Sequence, residues 1–407
     1  MTDTEPNSSV TLPDAAESGP LAGIRVLDLC GYLAGPYGCT LLADHGADVI
    51  KIEPPQGDNL RKYPSTLQAE SRAFLGVNRG KRGMVLDLKQ ESGYQVLLKL
   101  VRRADVFAHN FRPAVAPRLR IDYETLSKIN PRLIYCAVSG YGESGPLKNK
   151  AGYDQVLQSL SGICAMQGTP QDPKIVYGSV VDYYAASLLS GGIASALFAR
   201  ERTGKGQFVG VSLLRSALAL QSARLIRAEG EPLDVNRDMR SGGITGLHPT
   251  RSGSLYISAN TPHFWAALCE LVGLPELASD PRYATVRKRA EHAGEIVPRI
   301  RDALSERTAL EWETLFGERV PCAAVRQVED MFEHPQVLAE RMMETYVHPV
   351  VGRYRGLARP VKFGTGNIRT PSPAPTFGQH SVEILAEYGY SDEEISRLRE
   401  TGVIGQP

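Results

Sequence analysis

From Gly23 onward, short apolar runs alternate with longer stretches in which apolar residues recur at helical spacing. Residues 24–29, 47–53, 84–88, 104–109 and 133–138 read as buried strands. Helices are predicted over 36–45, where Gly46 supplies the stop, and over 91–102, with a further helical stretch between the last two strands. Strands separated by helices predict an α/β fold, a doubly wound parallel sheet covered on both faces, whose ligands bind where strands end and helices begin. The rhythm then changes. Residues 153–166 and 182–200 are predicted helices, the second rich in Ala, Ser and Gly; 203–211 is a turn feeding a strand, and 213–228 is a further helix. Residues 230–253 carry many Gly, Arg and Asp with little periodicity, and predict a linker and mobile loop. A strand at 255–258 and several helices to about residue 340 suggest a smaller α+β domain, after which strand signals return, then prolines at 371–375 and a helix at 380–387.

The expected organisation is a disordered, polar tail at 1–20, a large domain beginning at 21–228, a linker, glycine loop and small domain at 229–340, and a segment at 341–407 that returns to the large domain. A length of 407 residues suits more than one domain. Lys+Arg 46 against Asp+Glu 45 leaves a net charge of +1, too little to hold a nucleic-acid backbone or an anionic membrane, so any basic site is local. The first residues carry neither a basic n-region nor an apolar stretch, and no apolar run approaches a membrane span. Cys30, Cys39, Cys136, Cys164, Cys269 and Cys322 have no metal or redox spacing and read as reduced core residues of a cytoplasmic protein.

Several segments together resemble the class III CoA-transferase family of the CaiB/BaiF type. They are Leu21-Ala-Gly-Ile-Arg-Val-Leu-Asp-Leu29, Ala34-Gly-Pro36, Gly46-Ala-Asp-Val-Ile-Lys-Ile-Glu53, Asn110-Phe111, Ser139-Gly-Tyr-Gly-Glu-Ser-Gly-Pro146, Gly152-Tyr-Asp154, Val181-Asp182 and Thr203-Gly-Lys-Gly-Gln207, in family order. Each is a weak signal alone; the ordered set is a strong one. The resemblance implies a Rossmann-like large domain built from both chain ends, an interlocked homodimer, and coenzyme A as a substrate, with no resident cofactor and no metal. It also leaves room for a related second subunit.

Asp182 is the expected nucleophile by that resemblance. Read alone, Ser179-Val-Val-Asp182 is a helix-capping box. A helix N-terminus favours an ionised carboxylate, the form that attacks a thioester. Gly242, Gly243 and Gly246, in Ser241-Gly-Gly-Ile-Thr-Gly246, are candidates for a lid over Asp182, or for a plain surface turn. For CoA, Leu33 and Ala34 lie in the loop Gly31-Tyr-Leu-Ala-Gly-Pro36 after the first strand, where a helix N-terminus can meet phosphate. Asn110, Phe111 and Arg118 match family contacts to CoA, Arg112 sits beside them, Arg82 belongs to a basic cluster, and Leu86 and Tyr153 complete the set. Tyr153 stands where racemases of the family resemble Gly-His-Asp. A tyrosine is a poor base at neutral pH, which favours transfer over racemisation. The alternatives are a 2-methylacyl-CoA racemase or epimerase, a non-catalytic subunit of a two-subunit transferase, and a nicotinamide dehydrogenase, whose glycine spacing Gly31, Gly35 and Gly38 do not reproduce.

Overall fold

The computed structural model describes residues 19–169, 171–232, 243–364 and 370–405. The chain divides into two compact units, the first comprising Met1–Ile226 and Gln336–Pro407, the second Arg227–Pro335.

The first unit is built on a parallel sheet of β1 (Arg25–Asp28), β2 (Asp48–Glu53), β3 (Lys81–Val85), β4 (Val106–His109), β5 (Ile134–Ser139) and β6 (Phe208–Ser212), in the order β3-β2-β1-β4-β5-β6. The order reverses between β1 and β4, so the sheet has its switch point there. Side chains alternate across the sheet, as a strand's period of 2 requires. Val26, Val49, Val106, Ile134 and Cys136 face one layer, formed by α1 (Ala34–Asp44), α4 (Asp154–Ser161), α5 (Val180–Thr203) and α6 (Leu213–Ala219). Leu27, Ile50, Phe107 and Tyr135 face the other, formed by α2 (Glu91–Arg102), α3 (Tyr123–Ile129) and, from the far end of the chain, α7 (Ser381–Glu387).

β3 lies earlier than the apolar run at 84–88 suggested. Its first residue is Lys81, a buried cation that a strand accommodates only because its ammonium is fully met. Nζ donates to Asp28 Oδ2 at 2.8 Å, to the carbonyls of Pro36 and Val77, and to Asn78 Oδ1. β3 is also an edge strand, and the C-terminal segment covers its free side. Gly83 N donates to His380 Nδ1 (3.0 Å), His380 N to Gly83 O (2.8 Å), Val85 N to Ser381 Oγ (3.2 Å) and Asp87 N to Val403 O (2.9 Å).

α1 and α5 pack closely. A Cβ on Gly38 would come within 2.8 Å of Leu189 Cδ2 and 3.1 Å of the Ala186 carbonyl oxygen, so glycine is required there by contact. By length and composition α5 could cross a membrane, although no continuous apolar run marks it in the sequence. Here it is a core helix whose Val181, Ala185, Leu189 and Ile193 are buried against the sheet layer. The helix predicted over 153–166 breaks at Gly162, which adopts φ 90°. The one predicted over 213–228 stops at Ala219, and the Gln221 amide turns back to the carbonyls of Ala217 and Ser161.

The second unit has its own core around Trp265, Ile300, Trp312 and Phe316, and an antiparallel sheet of β7 (Gly246–Pro249), β8 (Ser254–Ile257) and β9 (Cys322–Ala324). β7 falls inside the stretch expected to be a loop. In the first unit, β10 (Met343–His348) and β11 (Gly352–Leu357) form a hairpin.

Candidate active site

A cleft of about 620 Å³ opens at the C-terminal ends of the parallel strands of the first unit. Its walls are the segments that follow β1, β2, β3, β4 and β5, together with Asp182 at the start of α5. Such a cleft at a switch point is where doubly wound sheets take ligands. Asn110 ties the two sides of the switch point together: its Oδ1 accepts from Gly31 N (2.9 Å) and its Nδ2 donates to Gly31 O (2.7 Å).

The loop after β1 is held from below by a buried ion pair. Lys51 Nζ bonds Asp58 Oδ2 at 3.0 Å and the Cys30 carbonyl at 2.9 Å. Asp58 Oδ1 accepts from Tyr32 N (3.3 Å) and Leu60 N (2.9 Å), fixing Tyr32 at φ 62°. That strained conformation is costly for a non-glycine residue and is held here by its surroundings. α1 starts directly from this loop. Leu33, its N-cap, makes no side-chain cap, so the first backbone N–H groups of α1 remain available to an anion. Behind the loop after β4, His109 is buried and neutral, pushed down to about 4 by burial. Its Nδ1 accepts from Phe111 N at 3.2 Å, and Nε2 meets the Tyr135 hydroxyl at 2.8 Å. Its ring stacks on Phe111, with centroids 5.4 Å apart.

The cleft gathers Leu33, Ala34, Leu86, Asn110, Phe111, Arg112, Arg118, Tyr153 and Asp182, which the sequence had assigned to it. Arg82 is placed elsewhere. It sits near the N-terminal end of β3, opposite the strand ends that form the cleft, and is bound by Asp48 (2.8 Å), Glu387 (2.6 Å) and Glu383 (3.1 Å). A cluster of basic residues in sequence was a poor guide here, because alternate strand residues diverge. Of the lid candidates, Gly242 lies outside the described residues, while Gly243 and Gly246 belong to the second unit, with φ 93° and 156°.

Sequence reasoning missed Lys89, Lys148 and Lys150, which also line the cleft. Among the described residues, these lysines, Arg112 and Arg118 have no carboxylate partner, unlike Arg82. The signal was present in Leu147-Lys-Asn-Lys150, a basic pair on a loop that leads back to Tyr153.

The nucleophile candidate departs from its expected setting in two ways. The capping box does not form: Ser179 is the N-cap but adopts φ 51° and makes no side-chain cap. The cap comes from Asp154, at the start of α4. Its buried Oδ2 accepts from Val181 N (2.7 Å) and Asp182 N (2.9 Å). Nor does the helix end hold Asp182 at a low pKa. Burial, and then the Asp154 carboxylate, push it up to about 7. Among the described residues, the Asp182 carboxylate has no hydrogen bond or ion pair of its own. It therefore lines the cleft as an uncommitted carboxylate.

Asp28, Cys30 and Cys39 bring ligand atoms within 4.8 Å of one another. Asp28 is already paired with Lys81, and burial pushes the Cys30 thiol well up, so the group is a packed thiol pair beside a closed ion pair.

Fold and site together are those of a doubly wound α/β protein with a cation-lined cleft at the sheet's switch point and a free carboxylate in its wall. The family profile described as CoA-transferase family III matches residues 21–381. The acetyl-CoA:oxalate CoA-transferase of Acetobacter aceti is 39% identical over 350 residues, 84% of this chain and 88% of that protein. The mouse succinyl-CoA:glutarate CoA-transferase is 32% identical over 405 residues, 97% and 92% of the two chains. A solved CAIB/BAIF family protein from Brucella suis superimposes with a TM-score of 0.79 at 30% identity, covering 91% of this chain and 100% of that one. The chain belongs to CoA-transferase family III, and it is an enzyme of the CoA-transferase type.

Proposed function

We propose that the enzyme moves coenzyme A from an acyl-CoA donor to a carboxylic acid acceptor through a covalent aspartyl-CoA thioester at Asp182. The observation that carries this reading is the uncommitted Asp182 carboxylate in the wall of the cleft. An Asp182 oxygen attacks the donor's thioester carbonyl. The C–S bond breaks, giving a mixed anhydride and the CoA thiolate. The thiolate attacks the aspartyl carbonyl and releases the donor acid as its carboxylate. The acceptor carboxylate then attacks the aspartyl thioester, and the thiolate, released again, attacks the acceptor's acyl carbon, restoring Asp182. Coenzyme A is a substrate, and the steps require no resident cofactor.

The open N-terminus of α1 and the unpaired Lys89, Arg112, Arg118, Lys148 and Lys150 suit the phosphates of CoA. Phe111 and Leu86 supply apolar contact for its arm. Tyr153 is half-exposed, and its hydroxyl is pushed up by Tyr32 beside it, which keeps it protonated and so still less available as a base at neutral pH, favouring transfer over racemisation.

The homodimer is part of the same reading. α5 leaves Tyr183, Leu188 and Phe198 exposed, the last by 66%, and Leu218 and Leu220 follow at α6. Apolar side chains of this size on long core helices suit a second copy of the chain.

The chemistry is tested by incubating the enzyme with a panel of donors, succinyl-CoA and acetyl-CoA first, without acceptor, and quenching with hydroxylamine. Peptide mass spectrometry is expected to find a hydroxamate at Asp182. A label on another carboxylate would move the nucleophile, and no label with a donor that supports turnover would refute the covalent route.

A further inference from the structure

We propose that Asp154 is a positioning residue that drives the covalent step, its fixed negative charge favouring conversion of the Asp182 carboxylate into its neutral acyl form. This rests on Asp182 being the nucleophile. Asp154 is 2% exposed and does not line the cleft, so it acts through Asp182 and touches no substrate.

The geometry fixes both the position and the charge. Asp154 Oδ2 holds the backbone N–H groups of Val181 and Asp182 at 2.7 and 2.9 Å, while Oδ1 accepts from the Gln158 amide. Gln158 is anchored in turn: its Nε2 donates to Val176 O (2.8 Å) and its Oε1 accepts from Val176 N (2.9 Å). Both Asp154 oxygens therefore act as acceptors, as those of an ionised carboxylate do. No lysine or arginine pairs with it among the described residues, so its charge is met by dipoles alone. A second negative charge in the same low-dielectric corner is disfavoured, and Asp182, whose own N–H is one of the bonded groups, carries that second charge. The neighbouring groups bring no relief. Tyr37 of α1 and Tyr183 of α5 are phenols whose rings meet at 4.8 Å. Arg79, which acts on Tyr183, is held by Asp44, and Arg112 acts on Tyr153. The upward shift of Asp182 to about 7 has burial as its first cause and Asp154 as its second.

Formation of the thioester removes this repulsion. Over the two steps the donor acyl C–S bond is exchanged for an aspartyl C–S bond, one Asp182 oxygen leaves with the donor acid, and that acid carries the negative charge out of the buried corner. Protonation and acylation both neutralise the same charge. The Asp154 contribution to the Asp182 titration and to the thioester equilibrium is therefore expected to be of similar size.

The test compares wild type with Asp154→Asn, whose amide oxygen can still accept from Val181 N and Asp182 N while its Nδ2 loses the Gln158 bond, with Gln158→Ala as the control for that lost bond, and with Asp154→Glu, which keeps the charge. Single-turnover formation of the thioester is followed by mass spectrometry across pH, with donor and released acid at fixed ratio. In Asp154→Asn the acid limb is expected to move down by about one unit. Above it, the ratio of CoA-carrying to free enzyme is expected to fall about tenfold, the factor one pKa unit represents. KM for acyl-CoA is expected to hold within about twofold, and Asp154→Glu is expected to restore both changes. An acid limb that stays put, or moves without the matching loss of thioester, would reduce Asp154 to a helix cap. If Asp154→Asn does not fold, the wild type decides: an acid limb at the ordinary carboxylate position overturns the proposal. Failure to form any thioester at Asp182 in wild type would instead sink the nucleophile reading.

Discussion

Asp58→Ala removes the partner of a buried lysine and two backbone contacts at once. Lys51 is 0% exposed and Asp58 2%, so neither side chain can turn to water when the other is lost. Breaking a buried pair by deleting one member costs roughly 3–5 kcal/mol. The structure argues for the lower end. Burial pulls the Lys51 ammonium down, but Asp58, Asp28 and Glu53 together hold it above its ordinary value, and two of these carboxylates remain in the variant. Lys51 also keeps the Cys30 carbonyl. Against this, Tyr32 N and Leu60 N lose their acceptor, and a buried donor left unpaired costs about 1–3 kcal/mol. A net loss of about 4 kcal/mol is expected. Urea unfolding should be followed by far-UV circular dichroism, because both tryptophans, Trp265 and Trp312, lie in the second unit and report on it alone. With a urea slope of about 2–3 kcal/mol per molar, the midpoint should fall by about 1 M or more. Replacing both partners, as in Lys51→Met with Asp58→Leu, is expected to cost less than Asp58→Ala alone, since no stranded charge remains. KM for acyl-CoA should rise severalfold in Asp58→Ala as the strained Tyr32 loop loosens. A loss under about 1 kcal/mol, or a double variant that simply sums its parts, would refute the account of the loop as held by this pair.

The two arginines, Arg118 assigned to CoA by its matched position and Arg82 by its basic cluster, should separate. Arg118→Ala is expected to raise the acyl-CoA KM by about tenfold with little change in KM for the acid, as loss of a charge-assisted contact to phosphate would. Arg82→Ala should leave both constants within twofold, because its charge is spent on Asp48, Glu383 and Glu387; the reverse ranking in steady-state kinetics would refute the placement. Phe198→Glu should lower the sedimenting mass from two chains toward one at micromolar protein, and a wild type that sediments as a single chain would refute the assignment of that face.

The parallel sheet was legible because its signal is local: β1, β2, β4 and β5 are short apolar runs whose alternate residues serve opposite layers. β3 was misplaced because a buried lysine reads as polar until its acceptors, spread over residues 28 to 78, are brought together. Residues on the loops after strands were found by resemblance, and the fold gathered them. Arg82 failed for a reason that sequence spacing cannot express, namely which end of a strand a residue occupies. The cap on α5 failed similarly. The box Ser179–Asp182 is a local pattern, whereas the carboxylate that caps the helix comes from Asp154.

The cover on β3 has a consequence for how the protein is made. During synthesis, β1, β2 and β3 emerge early, but the groups that meet the outer edge of β3 come from Ser372, His380, Ser381 and Val403. The whole second unit must leave the ribosome before that edge can close. Until then the nascent chain presents an unpaired strand edge, with Met84 and Val85 beside it, the kind of surface that pairs with other chains. Residues near the C-terminus therefore act as a latch on the first third of the fold, and their loss would show first as insoluble product rather than as a slower enzyme.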